Sequence, residues 1–136
     1  SITYFEYGLK HFDASEDVRL QTKAYIIRSK VEQMINENIQ INYNNDLKYI
    51  IKEESELITN FVNRRLFGDI ERMINIIWNT ITLLKMNNID ELNDIENLIK
   101  QLKDFYREYF MTNNKCIELE AYLSEKEVRE WNEFYE

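Results

Sequence analysis

Three features of this 136-residue chain predict an all-α fold. It has no proline and only two glycines, Gly8 and Gly68. A sheet-rich domain of this size needs more turn chemistry than that. Apolar residues recur at helical spacing along most of the sequence. A content of 44% hydrophobic and 31% charged residues is the balance of a globular domain rather than of a disordered segment. The length fits one domain, 1–136, able to bury a core without disulfide or metal. The expected architecture is a single-domain helical bundle of about five to six helices around one central apolar helix, 69–86.

The elements follow in order. Ile2, Phe5, Leu9 and Phe12 share one helical face, although the β-branched and aromatic start also permits a short strand. Asp13 or Ser15 can cap a helix over 16–38, with Glu16 and Asp17 where the dipole favours acid and a seam of Leu20, Ala24, Ile27, Val31, Met34 and Asn38. Asn36–Asn45 is a polar connection in which Ile39, Ile41 and Tyr43 alternate, as a short extended piece would. Asn45 or Asp46 opens a third long helix, whose buried face is Leu47, Ile50, Ile51, Leu57, Ile58, Phe61, Val62 and Leu66. Gly68 is expected to supply its left-handed stop.

Asp69 then caps the central helix. Ile70, Met73, Ile74, Ile77, Ile81 and Leu84 form one stripe, which Ile76, Trp78, Leu83 and Met86 widen beyond a single face. A helix apolar on most sides is surrounded by neighbours. The short link Asn87–Asp90 makes the next helix, 90–111, antiparallel to it, with Leu92, Ile95, Leu98, Ile99, Leu102, Phe105, Tyr106 and Tyr109 inward. Cys116–Leu123 reads as a short helix. Ser124-Glu-Lys-Glu127 reads as a capping box opening a last helix with Val128, Trp131, Phe134 and Tyr135. The chain stops inside that pattern and starts without Met, as a domain cut from a longer protein would.

The net charge is −8, and residues 90–136 carry about −7 of it. That argues against direct nucleic-acid binding, which needs a basic stripe. It suits solubility, a protein partner with a basic or mixed surface, or mimicry of nucleic acid. No apolar run reaches the roughly 18 residues of a membrane span. A single cysteine excludes an internal disulfide and favours a reducing, intracellular compartment. Heavy use of isoleucine and asparagine suits an AT-rich genome, such as that of a phage or other virus.

Catalytic signals are weak. His11 is the only histidine, so no zinc cluster and no di-iron Glu-x-x-His pairs exist. Cys116 sits among acids, which raise a thiol pKa. Glu53, Glu54 and Glu56 with Glu91-x-x-Asp94 resemble in part the carboxylates with which helical nucleotide pyrophosphatases hold Mg²⁺. The first cluster, however, has its third acid one position early, and no basic set for phosphates accompanies it. Arg64-Arg-Leu-Phe67 is similar to a short cyclin-docking motif, but Leu66 and Phe67 serve better as core at a helix end. No glycine-rich phosphate loop or nucleophile elbow is present.

The expectation is therefore a non-enzymatic helical interaction module without metal or cofactor: a regulator, adaptor, inhibitor or assembly subunit. Its partner-binding residues are expected at Tyr122, Trp131, Phe134 and Tyr135 with Glu127, Glu130 and Glu133, an aromatic patch ringed by acid. A nucleic-acid-mimicking inhibitor and a Mg²⁺-dependent nucleotide hydrolase using Glu53, Glu56, Glu91 and Asp94 are the alternatives.

Overall fold

The computed structural model describes residues 15–129. The face of Ile2, Phe5, Leu9 and Phe12, together with His11 and Asp13, lies outside them. The described chain forms five α-helices: α1 (Glu16–Glu37), α2 (Lys48–Asn63), α3 (Phe67–Met86), α4 (Asn93–Tyr109) and α5 (Asn114–Ser124). It is an all-α, single-domain bundle, with no strand among the described residues. None of its helices is long and apolar enough to cross a membrane.

Cross-helix contacts give the directions. Asp17 at the start of α1 pairs with Arg64 at the end of α2, so these two run antiparallel. Phe67, at the start of α3, meets Phe105 and Tyr109 near the end of α4 at centroid distances of 5.1 and 4.8 Å. That confirms the expected antiparallel return of α4. On α5, Lys115 faces Glu71 and Tyr122 faces Lys85, so α5 runs parallel to α3. Consecutive helices thus alternate in direction. α3 packs against α1, α2 and α5, while α4 lies mainly on α2 and α5.

α3 is the buried centre. Ile70, Met73, Ile74, Ile77 and Ile81 have no exposure at all, and Ile76 and Trp78 are also buried. Each such side chain contributes about 1.5–3 kcal/mol relative to exposure. Burial of Ile76 and Trp78 leaves no large apolar side chain of this stretch exposed.

The helix ends differ from expectation in three places. α1 starts as expected, with Ser15 Oγ accepting the Val18 N–H at 3.3 Å. The extended piece over Ile39–Tyr43 does not form a strand. Instead a π-helical turn, Tyr43–Leu47, leads into α2. Asn42 caps it, accepting from Asn45 N–H, while Asp46 accepts from the Asn42 N–H at 2.7 Å. This reciprocal pairing satisfies donors earlier than a start at Asn45 would. At the other end of α2, Arg65 takes the left-handed conformation (φ 58°), not Gly68. Leu66 N–H reaches Phe61 O and Arg65 N–H reaches Val62 O, a complete Schellman turn three residues early. Gly68 then falls in the first turn of α3, and Asp69 lies inside the helix rather than capping it.

Ile77→Ala is expected to lower the unfolding free energy by about 2–4 kcal/mol. Asn79→Ala, on a half-buried position of the same helix, should change it by less than about 1 kcal/mol. Urea denaturation followed by circular dichroism measures both. Equal losses would show that α3 is not the centre of the bundle.

Candidate functional site

Three polar side chains on α3 are buried, and each is answered by a neighbouring helix. Asp69 accepts a hydrogen bond from Gln21 Nε2 of α1 at 2.9 Å. Thr80 Oγ1 lies 2.8 Å from Glu54 Oε2 of α2. Thr82 Oγ1 lies 2.6 Å from the Tyr122 hydroxyl of α5.

Glu54 is fully buried, and its Oε1 has no hydrogen-bond partner. Burial pushes its pKa up to about 8; the Thr80 contact opposes the rise and Glu53 adds to it. Proton counting agrees. Thr80 Oγ1 is also 3.2 Å from the Ile76 carbonyl, and its one proton serves one acceptor at a time. A neutral Glu54 carboxyl can donate to Thr80, leaving Thr80 to donate to Ile76. Glu54 is therefore a core acid. Its position was readable, since it lies on the stripe between Ile50/Ile51 and Leu57/Ile58.

The carboxylates weighed for Mg²⁺ are not brought together. Glu53 and Glu56 line a cleft against α1 with Lys23 and Lys30. Asp94 instead accepts from the Tyr43 hydroxyl, a bond that raises the tyrosine pKa along with burial. Among the described residues no three acidic, histidine or cysteine side chains converge as a metal requires. Cys116 is buried, and desolvation, helped by Glu120, pushes its thiol up to about 11.

The expected partner patch is changed where it can be followed. Tyr122 is fully buried and stacks on Trp78 at 3.8 Å between centroids and 13° between planes, so it is core and not exposed surface. Ser124 does not open a helix. Its Oγ donates to Ala121 O at 2.9 Å, and Glu125 is extended. Residues 125–129 continue without helical structure, and the Arg129 guanidinium lies beside the stack, 5.0 Å from the Trp78 ring and 5.2 Å from the Tyr122 ring. Glu127 is exposed on this segment. Glu130, Trp131, Glu133, Phe134 and Tyr135 lie outside the described residues.

This clasp has a directed hydrogen-bond chain. Burial raises the Tyr122 pKa, while Thr82 and the nearby Arg129 backbone oppose the rise. Thr82 donates to the Trp78 carbonyl at 3.1 Å, so the Tyr122 hydroxyl proton goes to Thr82. Lys85 Nζ caps the far side, 3.9 Å from the Tyr122 ring centroid and 2.8 Å from its carbonyl. Burial lowers the Lys85 pKa, with Glu125 and Glu127 opposing. Glu125 pairs with Arg129 Nε at 3.0 Å.

A second aromatic assembly stands at the opposite end of α3. Phe67, Phe105, Tyr106, Tyr109 and Phe110 form edge-on and tilted contacts at 4.8–6.0 Å. Arg65 lies 5.7 Å from the Tyr109 ring. Beyond them the chain turns at Met111 (φ 55°), which is 91% exposed, and Phe110 is 49% exposed. A cleft of about 480 Å³ opens beside this corner, with Phe67, Tyr106 and Phe110 as its apolar wall and Asn113, Asn114 and Lys115 on its rim. Lys115 and Glu71 face each other at 3.5 Å. The sequence signal for this corner was an apolar Met inside an otherwise polar turn. The described acids of this third are interleaved with cations, as in the Lys103–Glu120 pair at 3.0 Å.

Comparison with protein-family models, with curated protein sequences and with solved structures returns no match. Function must be read from this geometry.

Two outcomes follow. The unfolded-state pKa of Glu54 is near 4.5, below its folded value of about 8, so its contribution to stability is complete in acid and is lost as pH rises between them. Relative to Glu54→Gln, the wild type should lose up to about 1.4 kcal/mol per pH unit across that window. Parallel unfolding curves for the two proteins from pH 5 to 8.5 would sink the claim. Tyr122→Phe, which removes the buried bond to Thr82, should cost about 0.5–1.5 kcal/mol with helicity unchanged, as measured by urea titration.

Proposed function

We propose that the chain is a non-enzymatic helical protein–protein interaction module, and that its α4–α5 corner is the docking surface. The observation that carries the reading is the sequence neighbours Phe110 and Met111, both large, apolar and exposed, with Phe110 in the wall of an aromatic-lined cleft. Soluble domains seldom present apolar surface of this kind without use. Aromatic and methionine side chains are the types enriched at the centres of interfaces. The left-handed turn at Met111 costs about 1–2 kcal/mol for a non-glycine residue, and it holds the side chain outward. The net charge of −8 favours a partner with a basic or mixed surface.

The partner inserts an apolar anchor into the cleft against the wall of Phe67, Tyr106 and Phe110, and the amides and lysine of the rim fix its orientation. In this reading the bundle core is support and α3 holds the wall in place. Regulator, adaptor, inhibitor and assembly subunit are all roles such a surface can fill.

The double substitution Phe110→Ser/Met111→Ser removes the exposed apolar surface of both residues together with the ring contacts of Phe110 to Phe67, Phe105 and Tyr106. It should lower the thermal transition by several degrees, a loss of about 1–3 kcal/mol, with the helical content of the folded protein unchanged. It should abolish retention of the partner that the wild-type protein captures from its native source. Capture of the same partner by both proteins would overturn the assignment of the corner.

A further inference from the structure

We infer that the α4–α5 corner receives a second copy of this chain, the two copies related by a two-fold axis, with Met111 of each seated in the cleft of the other. This rests on the interaction-module reading and names the partner of that same corner.

A two-fold contact joins one patch to itself, so the patch must carry both halves of every interaction. The corner does so. Its hole is the cleft of about 480 Å³ walled by Phe67, Tyr106 and Phe110. Its knob is Met111, which is 91% exposed. In sequence Met111 lies between Phe110 and Thr112, which both line the cleft, yet it does not line the cleft itself. Knob and hole are therefore neighbours on one surface, and the knob does not fill its own hole. An unbranched methionine adapts to an irregular apolar wall, and its sulfur is favourable against ring edges. Ile117, in the first turn of α5, is 52% exposed and adds apolar surface at the same corner.

The polar groups of the patch are self-complementary as well. Glu71 and Lys115 supply one acid and one base to the cleft lining. They face each other at 3.5 Å, with side chains 62% and 41% exposed, a long and open pair that can exchange partners. Across a two-fold axis Lys115 of each copy meets Glu71 of the other, so the cross-pair forms twice. The amides of Asn113 and Asn114 on the rim both donate and accept, and each can pair with its own counterpart. The cleft lining is thus neutral in a chain of net charge −8. Two copies meet there with less repulsion than across acidic surface, and each presents a mixed surface to the other.

Sedimentation equilibrium of the full chain over roughly 5 to 500 µM, the range in which a small interface dissociates, tests this. The wild type should show a reversible monomer–dimer equilibrium. Met111→Asn removes the knob with a residue that tolerates the left-handed turn, and it should weaken the dimer at least about tenfold. Lys115→Glu and Glu71→Lys each set like charges against each other twice per dimer, and each should weaken it about tenfold. Mixed in equal amounts, these two charge variants should associate again to within about threefold of the wild type, because both cross-pairs of the mixed dimer are opposite in charge. All three positions are exposed, so circular dichroism should show wild-type helicity in each variant. A wild type that stays monomeric at the highest concentration would overturn self-association. So would a dimer untouched by Met111→Asn, or charge variants that gain nothing on mixing. Capture of a different protein by a monomeric wild type, lost in Phe110→Ser/Met111→Ser, would keep the corner as a docking surface and overturn the second copy as its occupant.

Discussion

Everything in this bundle depends on burying α3 on nearly all sides. The apolar stripe of Ile70, Met73, Ile74, Ile77, Ile81 and Leu84 would be enough for a generic core, but this helix also carries Asp69, Thr80 and Thr82 inside. Buried polar groups without partners cost about 1–3 kcal/mol each, so the surrounding helices must answer them. They do so one apiece: Gln21 from α1, Glu54 from α2 and Tyr122 from α5. Apolar contacts tolerate sliding, whereas these three bonds do not. Together they set the register of three helices on one central rod. α4 is fixed at second hand, through Gln101 to Ser55 and Thr59 of α2 and through Lys103 to Glu120 of α5.

Burying a threonine hydroxyl against a carboxyl has a consequence for protonation. The hydroxyl has one proton and, at Thr80, two acceptors within reach. Adding a proton to Glu54 resolves the conflict and removes a charge from an apolar interior, so sterics and desolvation act in the same direction. The Thr82–Tyr122 pair differs because both members are hydroxyls, and the bonds can run in one sense from Tyr122 through Thr82 to the Trp78 carbonyl without a carboxyl group. One centre thus ties stability to pH and the other ties the C-terminal segment to the core.

Periodicity made the bundle legible. The seam Leu20, Ala24, Ile27 and Val31 is buried as its spacing required, while Met34 is half-buried and Asn38 exposed; the faces of α2 and α4 are buried except for Val62, Leu66, Leu92 and Tyr109, which are half-buried against the core. Helix ends were less legible because several residues competed to make them. Arg65 forms the left-handed stop although Gly68 is nearby, since a complete Schellman turn and a contact with Tyr109 are available three residues earlier. Ser124 carries the pattern of a capping box, yet its hydroxyl is used to donate back to Ala121 O and Glu125 is extended, so the box does not form. For the site, the aromatic and acidic character of the last third was visible in composition. Its division into a buried clasp and an exposed corner was not, because that depends on which aromatics α3 can reach. Tyr122 reaches Trp78 and is lost to the surface, while Phe110 lies past the end of α4 and remains on it.

The two aromatic assemblies occupy opposite ends of α3 and differ in how they are finished. At the clasp the chain supplies its own cation, its own carboxylate and a hydrogen-bond chain, so Trp78 and Tyr122 are almost wholly removed from water. At the corner no such cover is supplied among the described residues: the rings end at Phe110, and Met111 stands in solvent. A fold that can fully enclose one aromatic cluster has the means to enclose the other. A charged residue in place of Met111 would relieve the exposure without disturbing any described core contact. Retention of a large apolar side chain on a left-handed turn, beside a cleft already walled by Phe67 and Tyr106, is most simply explained by a surface that another protein covers.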